Sequence, residues 1–329
     1  MSMKELSMDR ICRQSYNERD LYTIRGKGMT LQQLKYLVTV AECGSISEAA
    51  QKLFISQPSL SAAIQNLEKE MGVTAFSRSS KGVVITREGE ELLAYSRMLL
   101  EQADIMQEHF GKDKNRTPKF SVSCQHYSFA VNAFVDLVKQ YDASQYNFIL
   151  RETQTGEIID DVAQGKSEVG ILYLSAHNEE VLTKLMRKNG LVFEELFVAE
   201  PHVFICREHP LANKKEITLD DLQPYPYLVY EQGERNSFYF AEEFLSMLDF
   251  PKNIQVRDRA TLFNLVIGLN GFTVCSGVID QKLNGENIIA KPLVSDCDMR
   301  IGMIRMKNTM LSRYALYYQE AIKNYLAIV

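Results

Sequence analysis

Residues 45–71 constrain this 329-residue chain more than any other stretch. Ser45 and Glu48 have the spacing of a capping box, and Ala49, Ala50 and Leu53 follow at helical intervals, so a short helix is expected to begin near Ser45 or Ser47. Phe54 and Ile55 interrupt it. Ser56 can accept a hydrogen bond from the free N–H groups that open a helix, and Pro58 is tolerated in a first turn, which places a second helix from about Gln57. Leu60, Ile64 and Leu67 fall at i, i+4 and i+7 and share one face of it; Gln57, Ser59, Ser61, Ala62, Gln65 and Asn66 occupy the rest. Two short helices with a tight turn bury little by themselves and need further elements behind them.

Those elements are present. Leu34, Leu37, Val38 and Ala41 form one face of a helix over about 31–42. After the second helix, two extended runs, A-F-S-R and G-V-V-I-T, flank Ser79, Ser80, Lys81 and Gly82, a hairpin with a cation at its tip.

With these residues in place, the chain from Met29 onward resembles the LysR-type transcriptional regulators. The resemblance is carried by L-x-x-L-x-x-L-V-x-V-A-E at 31–42, G-S-I-S-E-A-A-x-x-L at 44–53, S-Q-P-S-L-S-x-x-I-x-x-L-E at 56–68, G-V-x-A-F-x-R at 72–78 and T-x-E-G at 86–89. It implies an α+β winged helix-turn-helix at 29–86, a linker and dimerisation helix at 87–110, a hinge at 111–118, and an α/β two-lobed effector domain at 119–329, of the type 2 periplasmic-binding-protein-like kind. Lobe I is expected at 119–192 and 288–329, and lobe II at 193–287. Residues 1–28 are expected to be a disordered or extra N-terminal extension.

The implied activity is sequence-specific binding of double-stranded DNA, and charge alone does not announce it. The chain carries a formal net charge of -5. Between 29 and 90, Lys35, Lys52, Lys69, Arg78, Lys81 and Arg87 are matched by Glu42, Glu48, Glu68, Glu70, Glu88 and Glu90, 6 - 6 = 0. Binding must therefore come from placement of cations rather than bulk attraction. The expected DNA-binding set is Gln57, Pro58, Ser59, Ser61, Ala62 and Gln65 on the second helix, whose N-terminal residues would meet base edges, and Arg78, Lys81 and Arg87 on phosphates. Each of Gln57, Ser59 and Ser61 has a cap or a solvated residue as its alternative.

On the linker helix, Leu92, Tyr95, Leu99, Ala103, Met106 and Phe110 form a stripe. The resemblance implies that it pairs antiparallel with a second copy, giving a homodimer, a homotetramer by further pairing, and a DNA target with inverted-repeat half-sites. Beyond residue 118, strands alternate with helices, the pattern of an open α/β sheet: strands at 120–124, 147–152, 169–174, 198–206, 227–231, 272–276, 288–293 and 301–306, and helices at 130–141, 158–163, 237–248, 260–269 and from about 310. The resemblance maps effector loops to 125–128, 153–155, 200–202 and 259–261, with Gln125, Tyr127, Ser128, Thr155, His202, Tyr230 and Thr261 as candidate contacts to a small molecule of unstated identity. For Ser128, Thr155 and Thr261 simple helix capping is the alternative, and for His126 and His202 a structural hydrogen bond.

Other function classes have less to stand on. The residues offer no phosphate loop, metal spacing or G-x-S-x-G motif, so an enzyme is not expected, nor a cofactor or metal. Cys12, Cys43, Cys124, Cys206, Cys275 and Cys297 show no C-x-x-C spacing; a thiol-redox-sensing regulator built on Cys124, Cys206 and Cys275 is an alternative, as is a ligand sensor without DNA activity. No apolar run reaches the roughly 18 to 20 residues a membrane span needs, so a cytoplasmic protein is expected, with RNA polymerase a further candidate partner.

Overall fold

The computed structural model describes residues 28–79, 82–110, 117–141, 145–235, 237–279, 285–296 and 298–326. The N-terminal extension, the wing tip at Lys81 and most of the hinge lie outside them. The chain divides into two compact units, one up to Leu100 and one from Glu101.

In the first unit, α1 (Leu31–Cys43), α2 (Ile46–Lys52) and α3 (Gln57–Met71) are followed by the hairpin β1 (Phe76–Ser79) and β2 (Gly82–Ile85). Each helix starts on a side chain that satisfies a free N–H. Thr30 and Gln33 form a reciprocal capping box, Ser45 accepts from Glu48 N–H, and Ser56 accepts from Ser59 N–H. Gly44 and Gly72, at φ 64 and 70, end α1 and α3 in the left-handed conformation. Leu34, Leu37 and Val40 meet Ala49, Ala50, Leu60, Ile64, Leu67 and Ala75 in one apolar core. At about 1.5–3 kcal/mol for each fully buried large aliphatic side chain, this core outweighs any helix propensity of α2. Glu68, an acid on the far part of α3, is structural: its Oε1 accepts the N–H groups of Ala75 (2.7 Å) and Phe76 (3.1 Å) and so sets where β1 begins.

Helix α4 (Arg87–Phe110) runs from the first unit into the second. Leu93 and Ser96 are buried in it, and Leu92 and Leu100 pack on the core of the first unit. Leu92 therefore does not belong to the outward stripe expected of it: residues 92, 96 and 100 repeat every four positions on the inner face. Tyr95, Leu99, Met106 and Phe110 remain exposed, at 55%, 45%, 57% and 78%, and Ala103 is half-buried.

The second unit is built on β3 (Lys119–Cys124), β4 (Asn147–Glu152), β5 (Val169–Leu174), β6 (Leu191–Ala199) and β12 (Met299–Met306), which form a five-stranded sheet in the order β4-β3-β5-β12-β6. Strands β3, β4 and β5 are parallel; β12 runs antiparallel to both its neighbours. Helices α5 (Ser128–Gln140), α6 (Thr155–Ala163), α7 (Glu179–Lys188) and α10 (Arg313–Leu326) accompany it. A second group of strands comprises β7 (His202–Cys206), β10 (Thr273–Cys275) and β11 (Ile288–Pro292) in the order β10-β7-β11, plus the parallel pair β8 (Tyr227–Tyr230) and β9 (Asn253–Val256), with α8 (Leu219–Leu222) and α9 (Arg259–Leu269).

Three expectations need correction. The first lobe does not end at 192: β6 pairs along its length with β12, and the crossing falls at 200–201, where Pro201 lacks the N–H that would continue the ladder. The return does not fall at 288, because β11 pairs with β7 and the chain crosses back only after Pro292. The two crossings are tied by a hydrogen bond from Leu293 N–H to the Pro201 carbonyl, 3.0 Å. Finally, residues 237–248 form turns closed by i→i−3 bonds, such as Phe240 N–H to Ser237 carbonyl, and not a helix. Two consecutive glutamates in this run make long-range contacts that a straight helix would aim apart. Helix α7, between β5 and β6, was not among the expected elements.

Two neighbouring carboxyls lie in the second unit, Glu168 buried and Glu101 half-buried. Glu168 accepts the Ser312 N–H at 2.6 Å and hydroxyl at 2.8 Å, yet burial pushes its carboxyl up to about 7. Burial, then the neighbouring Glu168 and Asp104, push Glu101 up to about 8. Both groups hold protons more tightly folded than unfolded, so the stability they contribute is full below the ordinary value of 4.5 and is lost as pH rises through about 7 and about 8. Thermal unfolding of the second unit is thus expected to fall in temperature from about pH 5 to about pH 9, and Glu101→Gln to flatten that slope. A wild-type profile that is already flat over this range would sink the assignment.

Candidate functional site

The first candidate surface is the N-terminal turn of α3. Gln57, Pro58, Ser59, Ala62 and Gln65 are exposed and Ser61 is half-buried, because Leu60, Ile64 and Leu67 take the inner face. Ser59 does double duty: its N–H caps onto Ser56, and its hydroxyl lies 2.7 Å from the Ser56 hydroxyl. The Gln57 Oε1 accepts the Ser47 hydroxyl at 3.1 Å, which leaves the amide NH2 to donate. Arg78 sits in β1 opposite Val83, and Arg87 is exposed at the start of α4. Val83 N–H donates to the Gly44 carbonyl at 3.0 Å, tying the hairpin to the end of α1.

The second candidate is the cleft where the two strand groups of the larger unit meet, and much of it is filled by the chain's own side chains. His126 is the hub. Its N–H donates to Glu242 at 2.9 Å, its Nδ1 lies 3.0 Å from both Glu242 carboxylate oxygens, and its ring stacks on Tyr230 with centroids 3.9 Å apart and planes 7° from parallel. Both partners of the pair are nearly sealed from water, at 6% and 4% side-chain exposure. Around it, Thr155 N–H donates to Gln232 Oε1 at 3.1 Å, and Arg235 donates to the Gly156 carbonyl (2.9 Å) and Asp160 (2.8 Å). Arg259 pairs with Glu152.

The neighbouring Glu243 is buried. Its Oε1 accepts Tyr230 N–H at 2.7 Å, and its Oε2 has no partner. Burial first, and Glu242 beside it second, hold its carboxyl well above the ordinary range. Burial likewise raises the phenols of Tyr127, Tyr173, Tyr227 and Tyr230. In this interior the Glu242 carboxyl accepts the His126 N–H and the Gln232 side-chain amide. Open volume lies at the rim, where a depression of about 460 Å³ is lined by Glu152, Thr153, Gln154, Glu157, Glu231, Gly233, Glu234 and Arg257.

The expected effector residues divide accordingly. Gln125 is fully buried, with its amide donating to the Thr155 hydroxyl at 2.6 Å and its oxygen accepting from Tyr127 OH and Tyr173 N–H. Gln125, Tyr127, Thr155 and Tyr230 thus gather around the His126 hub through shared bonds, and Ser128 is buried at the first position of α5. Thr261 stands apart: it is exposed, and its N–H and hydroxyl both bond Asp258, the N-cap of α9. The His202 ring rests against the Glu200 carbonyl at 2.9 Å. Sequence reasoning passed over Glu242, Gln232 and Arg235; the one available signal was a pair of acids inside the apolar run from Phe238 to Leu245.

Known proteins match both halves. Residues 31–90 match the model of the bacterial regulatory helix-turn-helix proteins of the lysR family, and residues 124–326 match the LysR substrate binding domain. The chain belongs to the LysR family. It is a transcriptional regulator with a DNA-binding helix-turn-helix and an effector-binding domain, as the sequence motifs imply. Among its LysR relatives, the uncharacterized HTH-type transcriptional regulator YnfL of Escherichia coli is 31% identical over 214 residues, 64% of this chain and 68% of that one. The regulator AlsR of Bacillus subtilis is 27% identical over 246 residues, 73% of this chain and 77% of that one. Two solved LysR structures share the fold. A full-length OxyR variant of Pseudomonas aeruginosa covers 90% of this chain and 95% of its own at TM-score 0.65 and 21% identity. CbnR in complex with its target DNA covers 90% and 100% at TM-score 0.55 and 18% identity.

Among the described residues of this LysR chain, Cys124 and Cys206 are buried and Cys43 and Cys275 half-buried, all as free thiols. Burial pushes the Cys124 thiol up to about 12 and the Cys275 thiol higher still, which keeps both from the reactive thiolate form. Cys206 is buried and donates to Asn270 Oδ1 at 3.4 Å. Cys12 and Cys297 lie outside the described residues. No described helix is long and apolar enough to cross a membrane, and the described residues hold no His, Cys, Asp and Glu cluster fit for a metal ion.

Proposed function

We propose that this regulator reads an inverted-repeat operator as a dimer or tetramer, with Gln57, Pro58, Ser59, Ser61, Ala62 and Gln65 at base edges and Arg78, Lys81 and Arg87 on phosphates. The observation that supports this most is the exposed polar turn that opens α3, whose apolar face is fully used by the core behind it. Pairing of two copies through Tyr95, Leu99, Met106 and Phe110 would bury the apolar stripe that a single copy leaves in water.

A small-molecule effector is proposed to act at the cleft of the larger unit. The contacts of His126, Gln232, Arg235 and Arg259 hold its two sides together, and a ligand that binds one arrangement better than another shifts their balance by its difference in affinity.

Selection of duplexes from a random pool by the full-length chain tests the DNA reading. An enriched inverted repeat is expected, with weaker binding of it by Gln57→Ala and by Leu99→Glu. Recovery of sequences with no common motif would overturn it. For the effector, thermal unfolding against a panel of organic acids, amino acids and aromatic metabolites should show a stabilisation of about 2.7 kcal/mol at about 100 times the dissociation constant of a true ligand.

A further inference from the structure

Phe54 is the most exposed large apolar side chain among the described residues, at 95%. It is also one of three described non-glycine residues with positive φ, at 55°; the other two, Asn270 and Asn308, are of the type that tolerates this conformation. The turn that holds it is fully specified. Leu53 N–H donates to the Ala49 carbonyl (2.9 Å), Phe54 N–H to Gln51 (3.1 Å) and Ile55 N–H to Ala50 (3.0 Å), while the Leu53 and Ile55 side chains pack on the core. The chain thus alternates in, out, in, and the ring is presented outward immediately before the Ser56 cap of α3.

Nothing in the fold of the first unit requires a phenyl group there. Glycine or asparagine would adopt the same φ with less strain and would expose no apolar surface. A bulky residue kept in a strained, solvated position is explained by a contact that the free chain lacks, and strained residues cluster at such contacts. The surface continuous with it is the N-terminal turn of α3, with Gln57 and Ser59 exposed beside it. The apolar groups that double-stranded DNA offers in the major groove are the thymine methyls.

We propose that Phe54 is a DNA-reading residue whose ring packs on a thymine methyl at the edge of each half-site, next to the first turn of α3. The inference rests on the DNA-binding reading above and adds a base preference to it.

The test uses the full-length chain and a duplex recovered by its own selection from a random pool. Phe54→Asn is expected to unfold at the wild-type temperature or above it, yet to bind that duplex about tenfold more weakly. The dependence of affinity on salt should keep its slope, because no phosphate contact is lost. Replacing the half-site thymines by uracil should weaken the wild type and leave Phe54→Asn nearly unaffected. Wild-type affinity in Phe54→Asn, or an unchanged wild-type affinity for the uracil duplex, would overturn the proposal while the DNA-binding reading stands. A loss of affinity accompanied by a lower unfolding temperature in Phe54→Asn would overturn it in favour of a structural role. Failure of the wild type to enrich any duplex would instead strike the DNA-binding reading itself.

Discussion

Gly89→Ala is expected to unfold the first unit while leaving the second folded. A Cβ at Gly89 would lie 2.1 Å from the Ala75 carbonyl oxygen, 2.8 Å from its carbonyl carbon and 2.9 Å from its Cα. The obstacle is backbone, which cannot swing aside as a side chain could. That carbonyl also accepts Thr86 N–H at 3.0 Å, the Thr86 hydroxyl caps Gly89 N–H at 2.9 Å, and Ala75 N–H is held by Glu68. Moving the helix start away from β1 would therefore break several bonds together with the contact. Overpacking alone costs about 1–3 kcal/mol, and each hydrogen bond lost there adds about 1 kcal/mol, against the roughly 3–5 kcal/mol a core of this size supplies. Circular dichroism during heating should lose the transition of the first unit, and DNA binding should disappear with it. A Gly89→Ala chain that melts like the wild type would refute the close approach.

The second large effect is expected at Glu242. Glu242→Ala should destabilise the effector-binding unit by about 1–3 kcal/mol for each buried hydrogen-bonding group left without its partner. It leaves the His126 N–H and ring nitrogen facing a vacated, water-poor site, and the adjacent Glu243 already has one oxygen without a partner. Glu242→Gln should cost less, since its amide oxygen still accepts the His126 N–H. Urea unfolding of the full-length chain would measure both, and equal midpoints for wild type and Glu242→Ala would show that this pair does not hold the cleft. If it does, the alanine variant should also lose the stacking of His126 on Tyr230, visible as a change in the tyrosine near-ultraviolet signal.

The two halves of the chain differed in how much could be read in advance. In the first, local rules and global packing agree: Ser45, Ser56, Gly44 and Gly72 punctuate the helices, and periodic apolar residues mark the buried faces. Even there, helical phase alone placed Leu92 outward, because a stripe of apolar residues does not say which of two partners it meets. In the second half residues 198–206 read as one strand, although Pro201 splits them between two sheets. The acids at 242 and 243 lay unremarked inside an expected helix at 237–248, and both are buried in a run of turns.

What the sequence determined by itself was the helix-turn-helix, the family, and the alternation of strands and helices, since each depends on contacts a few residues apart. The tertiary structure alone decided which strands share a sheet, where the chain crosses between them, and that His126, Gln232 and Glu242 meet in the cleft. The physical reason is separation along the chain. His126 and Glu242 are 116 residues apart, and no propensity or spacing encodes a bond whose partners are brought together only by the folding of everything between them.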